Sequence, residues 1–535
     1  MFNSKNTFNM KKIINILIVG IMLASFAGCA EDYLDTIPTD EAAKSTTFEN
    51  TKNAAMAING ICKTMNRQYL STQGMNGEGT IKMYYGNYPG NDFMVNLPGW
   101  APLIIPTYHM NNTSVYDYYP WYYYYRLVGD ANDILANIDA VEGPEAEKQF
   151  IKAQALSFRA YAFTQLAQLY CYRWQDSDNG ASNGLVLRTD PVPTAPIAAD
   201  MPLSTLAETY TQIYTDLNEA IRLYKESGIT KTENYLPSIS MAYATYARAA
   251  INKQDYPTAA TMAKNARDGH PLMSVAEYKD GFYKVNKEWI WSSDGRADET
   301  LYYYSYHAYI GYNGNGGAVK STPKCMSKDL YTTISATDIR KGLFLDTIPG
   351  LTNQYIKTTG ATSTARADSA AGNTLKRKAF ASFPKLDPTA TIFIYMQFKI
   401  ANETNPGVGN LNHFRSSEMY LIEAEAEYKQ NNAVKAQQLL EELTKDSGRD
   451  PSYSCSLTGD DLFSEIKRIA QIELWGEGLD WFMMKRWGDP IVHKHFRDGG
   501  NFPTSCDGVV EPEAANKWTW IIPARETDYN RAIKL

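Results

Sequence analysis

Apolar residues recur at helical spacing over much of the chain. From Thr51 to Gln68, Ala54, Ala55, Ile58 and Ile61 fall on one face and predict a first helix. Trp121 to Ile138 and Lys148 to Tyr172 predict two longer ones, with Ala153, Ala160 and Ala167 at seven-residue spacing where a neighbour can approach. Leu203 to Tyr224 and Ser238 to Lys253 predict another pair, and Tyr256 to Arg267 one more. Residues 71–112 break the period with Gly, Pro, Asn and Tyr, which predicts a long structured loop. Residues 271–412 read as short aromatic strands and turns, with a low-complexity stretch (Thr358 to Asn373) expected to be a mobile loop.

One internal echo stands out. Ala247-Arg248-Ala249 is followed by Ala259, twelve residues after Ala247, and Ala424-Glu425-Ala426 by Ala436, twelve after Ala424. Each segment places a short polar turn between two helices, at Asn252 to Asp255 and at Lys429 to Asn432. Small residues at such points let antiparallel helices close on each other, and repeated hairpins predict a solenoid-like helical scaffold.

The chain has 535 residues, enough for one large domain or two to three small ones. A net charge of −7 argues against a nucleic-acid partner, which needs a basic face. Aromatics are abundant, with 38 Tyr, 10 Trp and 19 Phe. A tyrosine has a flat apolar face and a polar tip, so exposed ones suit ligands that are both flat and wet, although most should fill space between helices.

The N-terminus predicts the compartment. Lys11 and Lys12 precede an uncharged, mostly apolar run from Ile13 to Gly28, shorter than the roughly 20 residues a membrane span needs, as in a signal peptide beginning at Met10. The run ends in Ser25-Phe26-Ala27-Gly28-Cys29, which resembles the lipobox of bacterial lipoproteins, with Phe26 where Leu is usual. Cys29 would then carry the lipid. Ala30-Glu31-Asp32 resembles the signal that sends such lipoproteins to the outer face of the outer membrane. The remaining cysteines, Cys62, Cys171, Cys325, Cys455 and Cys506, form no close pair and suggest neither a metal nor a redox site.

Further motifs resemble one family. Tyr33-Leu34-Asp35 with Pro38 looks like the mature start of SusD-like proteins, and Phe48 with Asn59-Gly60-Ile61 like their first helix. Tyr124 to Ile134, with Arg126, Ala131 and Asn132, resembles the entry to their first tetratricopeptide-like hairpin. Arg415 followed by Glu418-Met419-Tyr420-Leu421-Ile422-Glu423-Ala424-Glu425-Ala426 is close to their most recognisable helix. Arg468, Glu473-Leu474, Glu477-Gly478, Trp481 and Lys485-Arg486-Trp487-Gly488 resemble the terminal helix and its exit, and Ile522-Pro523, Glu526 and Asn530 the closing segment. The resemblance spans nearly the whole mature chain in order. It implies a mainly α fold: one domain, residues 46–535, in an N-terminal part to about 270 and a C-terminal part from about 271. Four helical hairpins would form the scaffold, with irregular loops and a few short strands carrying the ligand site. A signal peptide (1–28) and lipidated tether (29–45) would precede it. It also implies an oligosaccharide or, in some members, a peptide ligand, and a SusC-like TonB-dependent outer-membrane barrel as partner. No cofactor is expected, and a role for calcium is left open.

Sugar binding needs flat rings for C–H faces and planar polar groups for paired hydroxyls. The first candidate region holds Tyr84, Tyr85, Tyr88 and Trp100 among Asn87, Asn91 and Asp92, with Gly86, Pro89 and Gly90 shaping the backbone. The second holds Trp291, Tyr302, Tyr304, Tyr306, Tyr309 and Tyr312; strand alternation would put Tyr302, Tyr304 and Tyr306 on one face, beside the glycines of 311–317. A hydrolase would need two carboxylates about 5 to 9.5 Å apart across a cleft. Glu473 and Glu477, four apart on a predicted helix, are better explained by pairing with nearby Arg468 and Arg486. His493 and His495 lack a third ligand and read as a solvated turn, and no nucleophile elbow or phosphate loop is present. The sequence therefore favours a non-catalytic glycan-capturing surface lipoprotein, with a peptide-capturing or scaffolding member of the family as the alternative.

Overall fold

The computed structural model describes residues 46–66, 75–96, 101–191, 200–296, 305–349, 355–356, 369–405 and 407–534. The signal segment and the tether to residue 45, including Cys29, lie outside them. The fold is mainly α. Helix α1 (Thr51–Thr64) starts where the Asn50 side chain accepts a hydrogen bond from the Asn53 amide at 3.0 Å, and it buries Ala54, Ile58 and Ile61. Helix α2 (Val115–Asn137) leads to α3 (Glu145–Tyr170), which is buried on every side from Ala153 to Tyr170 and packs against α1, α2, α4 (Leu206–Ser227) and α5 (Ile239–Asn252). Reciprocal Thr205 and Glu208 bonds start α4, and left-handed Gly228 ends it. The remaining long helices are α6 (Tyr256–Arg267), α7 (Ser369–Ser382), α8 (Ser416–Lys429), α9 (Ala433–Glu441), α10 (Gly459–Glu473) and α11 (Asp480–Trp487).

The scaffold stacks in four successive pairs: α2 with α3, α4 with α5, α6 with α8, and α9 with α10. The third pair is no hairpin in sequence, because residues 268–415 are inserted between α6 and α8. The echo seen in the sequence is an echo in geometry. Gln254 and Asn431 each take a left-handed conformation at the same point of their turns, with φ of 60° and 64°. The amide after each donates back into the preceding helix, Asp255 to Ala250 and Asn432 to Glu427. Ala247, Ala259, Ala424 and Ala436 are all fully buried where the helices meet.

Strands are short: β1 (Phe93–Val95), β2 (Trp289–Ser293), β3 (Lys324–Met326), β4 (Tyr355–Ile356), β5 (Ile392–Phe393), β6 (Leu411–Arg415), β7 (Ile491–His493) and β8 (Gly508–Val510). They form antiparallel ribbons β1–β3, β2–β6, β4–β5 and β7–β8. Three expectations change. Part of the predicted loop at 71–112 is a helical turn, Gly77–Thr80, running into a π-helix, Ile81–Asn87, buried throughout. A segment enclosed on all sides has no polar face and so shows no apolar period. Tyr306 lies not on a strand but in a short helix, Tyr306–Ile310, capped by Ser305. Residues 369–373 of the low-complexity stretch belong to α7, whose Leu375 and Ala379 reach the core.

Candidate functional site

Most rings chosen from the sequence are core. Tyr84, Tyr85, Tyr88, Trp291, Tyr306 and Tyr309 are each at most 6% exposed. A buried tyrosine or tryptophan is stable where its polar tip finds a partner, and distant carbonyls provide it. The Tyr85 hydroxyl donates to Tyr116 O at 2.6 Å, Tyr306 to Gly476 O at 2.5 Å, and Trp291 Nε1 to Tyr235 O at 2.9 Å. Tyr84 stands edge-on to Tyr309 with centroids 6.0 Å apart, and Tyr88 lies 5.8 Å from Phe93. Gly86 presents no ring to solvent. It lets the π-helix close on the 476–478 turn, where a Cβ would stand 2.0 Å from Gly478 O. Trp100, Tyr302 and Tyr304 lie outside the described residues.

Tyr312 differs from the others. It is half-buried and lines an open groove of about 430 Å³ within the inserted segment. Phe383, just past the end of α7, is half-buried beside it, and both rings lean on buried Phe398. Phe383 stacks on Phe398 at 3.6 Å, while Tyr312 meets Phe383 edge-on at 5.9 Å and Phe398 at 5.2 Å. Lys279, Asp280, Ser382 and Lys385 add polar groups around the rings. The loop is pinned: Asn313 Oδ1 accepts from the Asn402 amide at 2.7 Å, and Asn313 Nδ2 donates to Asn402 O at 3.0 Å. Burial, with Tyr283 and Asp280 nearby, raises the Tyr312 phenol above its ordinary pKa, so it stays a neutral donor. On the floor, Gly281 has φ +104° and a Cβ there would meet Ala401 Cβ at 2.7 Å. The sequence reading missed Phe383; its only signal is Phe380 and Phe383 at helical spacing before Pro384.

Asn91 and Asp92 line a second cavity, of about 290 Å³. Asn91 works as backbone, donating to Pro490 O at 2.9 Å and accepting from the Val492 amide at 2.8 Å. Asp92 Oδ1 accepts from Ser327 Oγ at 2.8 Å, and the Asp92 amide donates to Asp480 Oδ2 at 2.8 Å. Burial pushes the Asp92 carboxyl up to about 6, against the opposing pull of the Ser327 hydroxyl.

Glu473 and Glu477 belong to a buried ionic cluster rather than to a cleft. Glu473 ends α10 and Glu477 lies in the following turn, so they do not share one helix face. Arg415 donates to Glu288 Oε1 at 2.7 Å, Glu473 Oε1 at 2.8 Å and Glu477 Oε2 at 2.7 Å. Arg340 and Arg449 also hold Glu473, and Lys399 Nζ reaches Glu477 Oε1 at 2.6 Å. Burial alone would raise both carboxyls, but the cations win: Glu473 falls well below the usual range and Glu477 to about 2. The expected partners pair elsewhere, Arg468 with Glu465 and Arg486 with Glu425. His493 and His495 are buried rather than in a solvated turn. His493 stacks on Phe502 at 4.1 Å, with Nε2 2.8 Å from Gly90 O and Nδ1 3.1 Å from Cys506 O. Among the described residues no group of three or more His, Cys, Asp or Glu is arranged to hold a metal ion, and no helix is long and apolar enough to cross a membrane.

Known proteins share this architecture. A SusD-like family profile described as starch-binding, associating with the outer membrane, matches residues 32–251, and a SusD-family profile matches residues 287–532. No curated protein matches the chain in sequence. The structure resembles a SusD-like carbohydrate-binding protein from Bacteroides vulgatus, at 21% identity and TM-score 0.70, covering 91% of this chain and 98% of that one. It also resembles a SusD superfamily protein from Bacteroides thetaiotaomicron, at 20% identity and TM-score 0.68, covering 91% and 99%. A third relative, a SusD superfamily protein from Bacteroides fragilis, has 20% identity and TM-score 0.66, covering 91% and 100%. Two profiles in chain order and a fold shared over almost the whole of each relative lead to one assignment: this chain belongs to the SusD/RagB family.

Proposed function

We propose that the chain is a lipid-anchored, non-catalytic glycan-binding protein of the outer cell surface that passes an oligosaccharide to a TonB-dependent outer-membrane barrel. The observation that carries this reading is the groove at Tyr312 and Phe383, where two half-exposed rings stand among charged and hydroxyl side chains. That combination suits a pyranose, whose C–H face stacks on a ring while its hydroxyls meet polar groups. The family profile described as starch-binding and the carbohydrate-binding relative from Bacteroides vulgatus support the same ligand class. Glu473 and Glu477 are engaged by cations, which favours binding over hydrolysis. Trp100, Tyr302 and Tyr304 remain proposed contacts, and Cys29 the proposed lipid anchor.

Titration calorimetry of the purified chain against polysaccharides and peptides tests the reading. Stacking on one ring contributes about 0.5–1.5 kcal/mol, so Tyr312→Ala or Phe383→Ala should weaken a bound glycan about 2- to 10-fold with circular dichroism unchanged. Binding of peptides alone, or glycan affinity indifferent to both substitutions, would refute it. For the anchor, palmitate labelling that persists in Cys29→Ser counts against it.

A further inference from the structure

The geometry points to a second ligand site: the cavity over Asp92 takes one uronate unit, a sugar ring bearing a carboxylate. It shares no lining residue with the Tyr312 groove. At about 290 Å³ it lies near the lower edge of the roughly 300–1,000 Å³ of small-molecule pockets, which fits a single sugar rather than a chain.

Its floor is built for hydroxyls. Asp92 is 6% exposed and Ser327 satisfies its Oδ1, but Oδ2 has no geometrically sound hydrogen-bond partner, although Gln471 stands close enough to favour the charged form. A buried acceptor left in this condition calls for a donor, and a sugar hydroxyl is one. Phe502 and Val492 add apolar wall.

The rim selects the charge. Lys494 is paired with Asp329 at 2.6 Å, and Arg468 is held by both oxygens of Glu465 at 2.7 Å and by Thr333 O at 3.1 Å. Lys328 lines the same rim and has no carboxylate partner among the described residues. One uncommitted ammonium above a hydroxyl-binding floor matches a ligand with several hydroxyls and one carboxylate.

The test uses the purified full chain with galacturonate and glucuronate, each against galactose and glucose, by titration calorimetry. At least one uronate should bind, and its neutral counterpart at least tenfold more weakly. Lys328→Gln should reduce uronate affinity about tenfold, Thr333→Trp should abolish binding by filling the cavity, and Tyr312→Ala should leave it unchanged. Trigalacturonate matching or exceeding the monomer assigns the site to a glycan end, and weaker binding assigns it to the free acid. No binding by either uronate, equal binding of acidic and neutral sugars, or uronate affinity unmoved by Lys328→Gln and Thr333→Trp overturns the site.

Discussion

Replacing Glu477 by Gln keeps the shape of the side chain and removes one charge from the buried cluster. In the parent, Glu477 accepts from Arg415 at 2.7 and 2.8 Å, from Lys399 at 2.6 Å and from Asn412 Nδ2 at 3.0 Å. Its carboxyl is lowered from 4.5 to about 2, which corresponds to about 3 kcal/mol of stability at neutral pH. Breaking a buried ion pair from one side independently suggests roughly 3–5 kcal/mol. The sign follows from the depressed pKa. The contribution is complete above the unfolded value near 4.5 and disappears as pH falls through about 2. Urea unfolding followed by tryptophan fluorescence should therefore separate the parent from Glu477→Gln by about 3 kcal/mol at pH 7 and by about 1 kcal/mol at pH 3. Other titrating groups are common to both proteins and cancel in the difference. A gap under about 0.5 kcal/mol at pH 7, or one that does not shrink on acidification, would show that the cluster does not stabilise the fold as argued.

Two more substitutions probe the frame of the site. Gly281→Ala puts a Cβ 2.7 Å from Ala401 at a φ of +104°, so it should destabilise by about 1–3 kcal/mol and weaken glycan binding together; an unchanged urea midpoint would show that the floor relaxes freely. Arg248→Met strands Glu418, which accepts from Arg248 at 2.8 and 2.9 Å inside the scaffold, and should cost roughly 3–5 kcal/mol. Arg248→Met with Glu418→Leu should recover most of that loss, and a double variant no better than the single would refute the account.

The scaffold was legible because its helices have two unlike faces. Ala247 and Ala424 carry the same local sentence, and the folded turns agree down to the left-handed residues at 254 and 431. The segment from Gly77 to Asn87 was not legible, since burial on all sides erases the period that reveals a helix. The rings of the candidate site failed for a related reason. Whether a tyrosine is core or platform depends on where its hydroxyl finds an acceptor, and Tyr306 finds one 170 residues away. Ion pairs show the same limit: Arg468 and Arg486 are near Glu473 and Glu477 in sequence, but the partners in space are Arg340, Arg415, Arg449 and Lys399.

The cluster and the groove are also mechanically joined. Phe398 and Lys399 are neighbours in the chain and serve opposite sides of one segment. Phe398 lies flat on Phe383 at 3.6 Å, while Lys399 Nζ donates to Glu473 O, Trp475 O and Glu477 Oε1 at 2.6 to 2.9 Å. Gln397 fastens the same segment to the loop before Tyr312, donating to Ile310 O at 2.5 Å and Ile400 O at 3.1 Å. The ring on which Phe383 and Tyr312 lean is thus positioned by charges it never touches. Glu477→Gln should consequently weaken glycan binding as well as stability, whereas Tyr312→Ala should weaken binding and leave the urea midpoint nearly unchanged. If Glu477→Gln lowers stability and leaves affinity at the parent value, the groove is held by its own loop and the proposed coupling through Lys399 is wrong.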